Sequence, residues 1–338
     1  MASGRCGDFV LDALRGLAII LVVVGHVING FNYSNLSFTG NSLIHDTIYS
    51  FHMPLMFMVS GYADGMRQKS SAILKQIRKS IVSVYLPCLY FSFMIWLPKF
   101  LWSALGISNL ENFRLVSIDE LLAIPLHGFD LYWFLCALFF IKIIHILTEH
   151  FMPSWKLRAI LWAAAFSLYA FGAGIHSFCH YGIYFFVGYE LRRQNIITRE
   201  THPGIFWGII MLLAGMMIFS ASYFYGGGNK FTEAGAALCT SLALFVMFYA
   251  CDVRVAFLAC CGAGSMVIYV LHNHVIALMR IIFRTTGISE SVNAAVLFVI
   301  CSAVGLLLPC CVIWLYRNVK CLRWLQYIFY PGKLIFRK

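Results

Sequence analysis

The sequence predicts an all-α, polytopic integral membrane protein with about ten transmembrane helices and with both termini in the cytoplasm. Of its 338 residues, 61% are hydrophobic and only 12% are charged, and the mean hydropathy is +0.81. Apolar stretches of about 20 residues, the length that crosses a bilayer as a helix, recur along the whole chain. Basic residues are concentrated in alternate loops, which is typical of chains that cross a membrane repeatedly.

Hydropathy and length place the individual spans. The first apolar stretch contains Arg15 and lacks a convincing small-residue cleavage site, so we expect it to remain as a span rather than to be removed as a signal peptide. In the outer loop after the third span, residues 118–124 are predicted to form a short interfacial helix. Residues 1–338 are interpreted as one domain, ending in a basic, aromatic interfacial tail over residues 316–338. The ten predicted spans are residues 10–29, 44–64, 80–102, 130–148, 157–174, 177–191, 203–222, 232–251, 263–283 and 292–316.

The net charge of +11 is explained by topology rather than by nucleic-acid binding. The loops that do not carry the basic clusters hold only Arg114, Lys230 and Arg284. By the positive-inside rule, the basic loops and both termini face the cytoplasm, so we expect a multi-pass protein of the cell (cytoplasmic or inner) membrane. The basic residues of the inner loops and tail are Arg67, Lys69, Lys75, Arg78, Lys79, Lys156, Arg158, Arg192, Arg193, Arg199, Arg254, Arg317, Lys320, Arg323, Lys333, Arg337 and Lys338.

Three ionisable residues lie in the first predicted helix. Asp12 and Arg15 are three residues apart, a spacing that allows an ion pair. Arg15 and His26 are eleven residues apart, close to three whole turns, so both face one side at a separation of roughly 16 Å along the axis. Ionisable groups inside a bilayer are costly and usually serve a function. The alternatives are an Arg15 that snorkels while paired with Asp12, and a His26 that packs as a hydrogen-bonded residue.

Two further spans carry candidate polar groups. His52 enters the second span from the outer side near the depth expected for His26, and two such histidines could act as a base and its orienting partner. Ser60 and the glycine after it permit close helix approach. In the ninth span, Tyr269 and His272 share a face and could hydrogen-bond a substrate. An interfacial His52 and a packing role for Tyr269 and His272 remain open.

The first inner loop concentrates positive charge just before the third span, at Lys75, Arg78 and Lys79. Topology alone explains these charges, but they could also bind a phosphorylated cosubstrate by charge-assisted contacts. No metal is expected, because the twelve cysteines include no CxxC pair and the histidines include no HExxH pair.

Taken in order, six sequence blocks resemble those of the acyltransferase-3 membrane family, and the resemblance extends over spans one to nine. The block in the second helix and the compact length are most similar to the fucose 4-O-acetylase-like branch of that family. The blocks are Leu11–His26, Phe51–Gly61, Arg78–Pro87, Tyr132–Leu138, Phe185–Arg193 and Ser265–His272.

The resemblance implies a membrane O-acyltransferase that moves an acyl group, usually acetyl, from cytoplasmic acyl-CoA to a sugar hydroxyl of a surface glycan or of its lipid-linked precursor. In that reaction His26 is the expected general base, with His52 as its partner and with Arg15 positioning the donor or the base. The expected donor-binding residues are Arg15, Lys75, Arg78 and Lys79, and the substrate or oxyanion candidates are Asp12, Ser60, Trp133, Tyr269 and His272. A glycan-assembly partner or a homo-oligomer is compatible with this interpretation.

Two other function classes stay open. Ten spans with buried Arg and His would also suit a proton-coupled transporter or flippase for a glycan-related substrate, which would move its substrate without consuming acyl-CoA. The sequence contains no clear inverted repeat, which counts mildly against a carrier. The third class is a non-catalytic scaffold in a glycan-export complex, which would tolerate loss of His26.

Overall fold

The computed structural model describes residues 8–33, 36, 38–67, 72–104, 116–172, 177–225 and 228–332, and within these ranges the chain is helical and contains no strand. Some of the basic residues of the sequence interpretation lie outside the described residues, namely Lys69, Arg114, Lys333, Arg337 and Lys338. The all-α class is therefore confirmed for the described part of the chain.

Each of the ten predicted spans coincides with a long helix or, for the third span, with the continuous segment α3–π–α4. A π-helical turn, Ile81–Tyr85, joins α3 to α4, and single 3-10 turns cover Asp130–Tyr132 and Lys320–Leu322. The helices are α1 Phe9–Tyr33, α2 Asn41–Gly65, α3 Ile73–Ser80, α4 Leu86–Ala104, α5 Ile118–His127, α6 Trp133–Phe151, α7 Trp155–Ala170, α8 Ser177–Arg193, α9 Ile205–Tyr225, α10 Lys230–Ala250, α11 Ala256–Ala263, α12 Ser265–Thr285, α13 Ile288–Ser291, α14 Ala294–Asn318 and α15 Leu325–Phe329.

Seven helical segments of the described chain are long and apolar enough to cross a membrane. The other three helices that match predicted spans fall short for different reasons. Helices α7 and α8 have only 16 and 17 residues, whereas α2 has 25 residues but carries many polar side chains. The seven segments are Phe9–Asn32, Ile73–Leu101, Ile118–Phe151, Ile205–Phe224, Lys230–Ala250, Ser265–Thr285 and Ala294–Asn318.

The contacts divide the chain into two compact units. The first unit consists of Met1–Arg67 and Tyr184–Arg317, and the second consists of Gln68–Ile183 and Asn318–Lys338.

In the first unit, glycines bring helix backbones into direct contact. A Cβ added to Gly16 of α1 would lie 1.9 Å from the carbonyl oxygen of Leu258 in α11, and one added to Gly262 would lie 1.9 Å from the carbonyl oxygen of Asp12. Gly61 of α2 approaches the carbonyl oxygen of Phe185 in α8 in the same way, as the sequence predicted for this helix. Larger residues at these positions would push the helices apart, so the glycines fix α1 and α2 against their neighbours.

In the second unit, a buried cluster holds the chain that leads into α6. Trp96 packs with Val116, Ile124 and Phe129, and its indole Nε1–H donates to the carbonyl of Ser117 over 3.2 Å. These contacts tie α4 to the short helix α5, whose helical state the sequence predicted. They thereby set the position at which α6 begins.

Candidate active site

Histidines from different helices meet inside the first unit. The rings of His26 in α1 and His272 in α12 have centroids 5.1 Å apart, inclined at 49°. His272 is completely buried and His52 of α2 is 2% exposed. The His52 ring lies 4.7 Å from that of Tyr49, and the Tyr49 ring packs against Gly25, the residue before His26. The structure therefore places His272 beside the pair of His26 and His52 that the sequence interpretation had already put together; we call these three residues the histidine cluster.

Hydrogen bonds to backbone carbonyls define the protonation of two of these rings. Nδ1–H of His272 donates to the carbonyl of Ile268 over 2.9 Å, and Nδ1–H of His52 donates to the carbonyl of Ile48 over 2.8 Å. Because a carbonyl can only accept, each Nδ1 carries the hydrogen, and Nε2 of the neutral ring is left as a proton acceptor. In the described part of the chain, the buried Nε2 of His272 has no hydrogen-bond partner.

His26 differs from the other two rings. Within the described ranges it has the ring contact with His272, but no hydrogen bond from either ring nitrogen to another residue. Whichever nitrogen of such a neutral ring carries the hydrogen, the other one is left to accept a proton from a substrate. Among the residues that the structure describes, no group of three or more His, Cys, Asp or Glu side chains is arranged to hold a metal ion.

A polar network that the sequence interpretation missed extends from the cluster between α1 and α2. His45 lies 2.8 Å from Asp46 through Nδ1 and 2.9 Å from Oδ1 of Asn29 through Nε2. The Asn29 amide donates to the hydroxyl of Tyr49, and the Tyr49 ring meets the His52 ring edge-on at 4.7 Å. The contacts thus run without a break from Asp46 to His52. The spacing of His45, Tyr49 and His52 on one face of α2 was the available signal.

Arg15 and Asp12 form the ion pair that their spacing predicted. Arg15 Nη1 lies 2.9 Å from Asp12 Oδ1, and the two side chains are 26% and 28% exposed. The eleven-residue separation from His26 corresponds to roughly 16 Å along α1. Arg15 is therefore paired and partly accessible at a distance from the histidine cluster.

The start of α1 is fixed by a second set of contacts that sequence reasoning did not find. Asp8 accepts a hydrogen bond from the hydroxyl of Tyr249 over 2.6 Å and lies 3.1 Å from Nη2 of Arg199. The hydroxyl of Tyr62 donates to the carbonyl of Ile197 over 2.7 Å. These contacts join α1 and α2 to the segment after α8 and to α10, and so hold the helix that carries Arg15 and His26.

The remaining candidates of the first unit differ in how well they fit a chemical role. Tyr269 is buried, and its ring lies 6.2 Å from that of His272, as expected for residues on one face. Ser60 donates its hydroxyl hydrogen to the carbonyl of Met56 in its own helix over 2.8 Å. A bond of that kind occupies the donor that an oxyanion would need. Tyr269 is therefore the better placed of the two beside the cluster.

One partly buried cation that contacts α1 was not singled out from the sequence. Nη1 of Arg280, in α12, donates to the carbonyl of Gly30 over 2.9 Å. Gly30 comes one turn after His26 in α1, and a Cβ there would lie 3.2 Å from the Arg280 side chain. This bond fastens the C-terminal part of α12 to α1, and His272 lies on that same α12.

Four of the predicted site residues belong to the second unit. Lys75, Arg78 and Lys79 all lie on α3 and are exposed. Trp133 is the first residue of α6, and its ring lies 5.4 Å from that of Tyr181. The second unit thus carries the basic helix and the tryptophan, whereas the first unit carries the histidine cluster.

The acyltransferase-3 family model, described as "Acyltransferase domain", matches residues 9–315. The nodulation protein NolL of Mesorhizobium japonicum is 28% identical over 163 residues, which are 47% of this chain and 41% of NolL. NolL of Sinorhizobium fredii is 31% identical over 98 residues, which are 29% of this chain and 27% of that relative. The matched part of this chain spans less than half of either relative, and no solved structure matches it.

The family match takes in all the first-unit candidates and the four candidates of the second unit, Lys75, Arg78, Lys79 and Trp133. It also includes all seven helical segments that could cross a membrane, apart from the last three residues of α14. The chain therefore belongs to the acyltransferase-3 family.

Proposed function

We propose that this protein is a membrane acyltransferase that moves an acetyl group from cytoplasmic acetyl-CoA to a sugar hydroxyl of a surface glycan or of its lipid-linked precursor. The observation that carries the proposal is the pairing of His26 with His272 inside a chain of the acyltransferase-3 family. Imidazole is the side chain best suited to accept and return a proton near neutral pH, which is what acyl transfer to a hydroxyl requires.

The proposed step needs one proton acceptor. His26 takes the proton of the sugar hydroxyl as its oxygen attacks the thioester carbonyl. The tetrahedral intermediate then expels the CoA thiolate, and the protonated His26 returns the proton to that sulfur, so that ester and CoA thiol are formed. His272 and His52 support this role, since their Nδ1–H groups are held by backbone carbonyls and their Nε2 atoms remain acceptors for a protonated neighbour.

The donor would be held by cations at the cytoplasmic side. Arg15 is partly exposed and lies roughly 16 Å along α1 from His26, comparable with an extended pantetheine arm. Lys75, Arg78 and Lys79 form an exposed basic helix face suited to the phosphates of CoA. Replacing Arg78 by Glu should raise the KM for acetyl-CoA and reduce its dependence on ionic strength, whereas Lys156→Glu on α7 is the matched control. An unchanged KM in Arg78→Glu would remove Arg78 from the donor site.

The membrane arrangement completes the proposal. Ten spans with both termini in the cytoplasm would place the basic inner loops where acetyl-CoA is made and the glycan-facing loops on the other side of the cell membrane. In addition to the seven long apolar segments, helices α2, α7 and α8 coincide with predicted spans, which supports ten. Cysteine labelling of single exposed positions on either side would test the orientation. A glycan-assembly partner or a second copy of the chain could assemble with this protein.

The proposal is tested by following acyl transfer directly. Purified protein is incubated with radiolabelled acetyl-CoA and a crude membrane glycan-lipid fraction, and label in lipid-linked sugar and free CoA thiol are both measured. We expect one equivalent of CoA thiol per equivalent of labelled sugar. Movement of the glycan lipid across proteoliposomes without CoA release would overturn the proposal in favour of a transporter or flippase.

A further inference from the structure

The second unit contains a cavity of about 340 Å³ at the ends of α5, α6, α7 and α8. Five of its lining side chains combine a ring with a polar atom: His127, Trp133, Tyr169, His180 and Tyr181. The volume lies at the lower end of the range for small-molecule sites. The cavity is thus large enough for a small ligand, and its wall is mostly aromatic.

The rings of this wall hold one another in place. His180 stacks on Tyr169 with centroids 4.8 Å apart at 11°, and on Tyr181 at 4.4 Å and 25°. The Tyr181 ring in turn lies 5.4 Å from the indole of Trp133. A ligand that enters such a wall does not have to order these side chains, so little conformational entropy is lost on binding.

The chemistry of the lining selects the class of ligand. Of the lining residues that the structure describes, none is Asp, Glu, Lys or Arg, so neither a phosphate nor a cation would find an opposite charge among them. Ring faces pack against C–H groups, whereas the O–H group of phenol and the N–H groups of imidazole and indole form hydrogen bonds. A sugar ring has both kinds of surface, since its C–H faces are apolar and its edge carries hydroxyls.

We propose that this cavity, which we call the aromatic cavity, binds an uncharged sugar ring. This inference rests on the proposed function for the view that the acceptor is a glycan. The predicted topology places the C-terminal ends of α5 and α7 and the N-terminal ends of α6 and α8 on the outer side. A cytoplasmic nucleotide cofactor would not reach them, so the adenine of acyl-CoA is not the expected occupant.

The test measures binding without any acyl-CoA. Full-length protein in nanodiscs is mixed with methyl glycosides of neutral hexoses and 6-deoxyhexoses, and saturation-transfer NMR detects protons that contact the protein. Choline, adenosine and methyl glucuronide are the comparison probes for a cation, a nucleoside and a charged sugar. We expect transfer to the ring protons of at least one neutral glycoside and weaker transfer to all three comparison probes.

Variants assign the signal to the cavity. Trp133→Ala should reduce it about fivefold or more, because it removes a ring face. Trp155→Ala on α7, which replaces an exposed tryptophan outside the cavity, should leave it unchanged. Tyr169→Phe and Tyr181→Phe remove only a hydroxyl, so they test the cavity even if Trp133→Ala fails to fold. At least one of them should reduce the signal about twofold or more.

Each outcome decides one point. Equal glycoside signals in wild type and in all three cavity variants would overturn the inference, and so would stronger binding of choline or adenosine. Glycoside binding that depends on Trp133 in a protein that never transfers an acetyl group would keep the sugar site and overturn the proposed function. Acetyl transfer with no glycoside signal at the cavity would keep the proposed function and overturn the sugar site.

Discussion

The histidine cluster and the aromatic cavity are held together in opposite ways. The cluster takes one ring from each of α1, α2 and α12, and two of these rings are fixed by bonds to backbone carbonyls. In the aromatic cavity, residues from two short parts of the chain, 126–140 and 169–181, are fixed by stacking on one another. A ring held through Nδ1 keeps a defined proton acceptor, whereas a stacked ring keeps a defined shape. The first arrangement suits proton transfer and the second suits binding.

Loss of His26 should have the largest effect. His26→Ala removes the proposed general base and should lower kcat for acetyl transfer by about 10²- to 10⁴-fold, measured with radiolabelled acetyl-CoA. His274→Ala is the matched control, because His274 is an exposed histidine on α12 that bonds to the carbonyl of its own helix. A kcat within about twofold of wild type in His26→Ala would show that the cluster has no catalytic role.

Removing His272, the neighbour of His26, should lower kcat less than removing His26 itself. His272→Ala leaves the base but removes the ring 5.1 Å away, and we expect kcat to fall by roughly 10- to 100-fold. Because the two rings are proposed to act as a unit, the double variant should be little slower than His26→Ala alone. Additive losses in the double variant would mean that the residues act independently.

Substitutions in the aromatic cavity should change the KM for the glycan acceptor rather than kcat. Trp133→Ala should raise the KM for the glycan acceptor by about fivefold and leave kcat near wild type, because a lost binding contact weakens substrate and transition state alike. Trp155→Ala should change neither. A fall in kcat at saturating acceptor, with KM unchanged, would mean that Trp133 takes part in the chemical step. The cavity would then no longer differ from the histidine cluster as a binding site differs from a catalytic one.

The smallest effect is expected in the network beside the cluster. Asn29→Ala interrupts the contacts between His45 and Tyr49 and should lower kcat by about threefold, since His52 keeps its own bond to the carbonyl of Ile48. Asn293→Ala, which removes an exposed helix-capping side chain at α14, provides the control. A loss as large as that of His272→Ala would place the network inside the catalytic unit.

Local features of this molecule could be predicted from its sequence, and long-range pairings could not. Hydropathy located the helices because a bilayer demands long apolar segments, and three-residue spacing predicted the pair of Asp12 and Arg15. His26 and His272 were both candidates, yet nothing in a single sequence indicates that residues so far apart will touch. Asn29 and Tyr49 drew no attention because neither is costly or unusual at a span's end, and their roles depend on how α1 packs on α2.

Chemical rescue would test the central claim most directly. His26→Gly leaves a space for the missing ring, and its single-turnover rate of acetyl transfer is measured with and without added imidazole. If His26 is the general base, transfer should be nearly lost and imidazole should restore part of it, while Arg15→Ala should not respond. A wild-type rate in His26→Gly, or a loss that imidazole does not relieve in protein that still binds acetyl-CoA, would contradict the account.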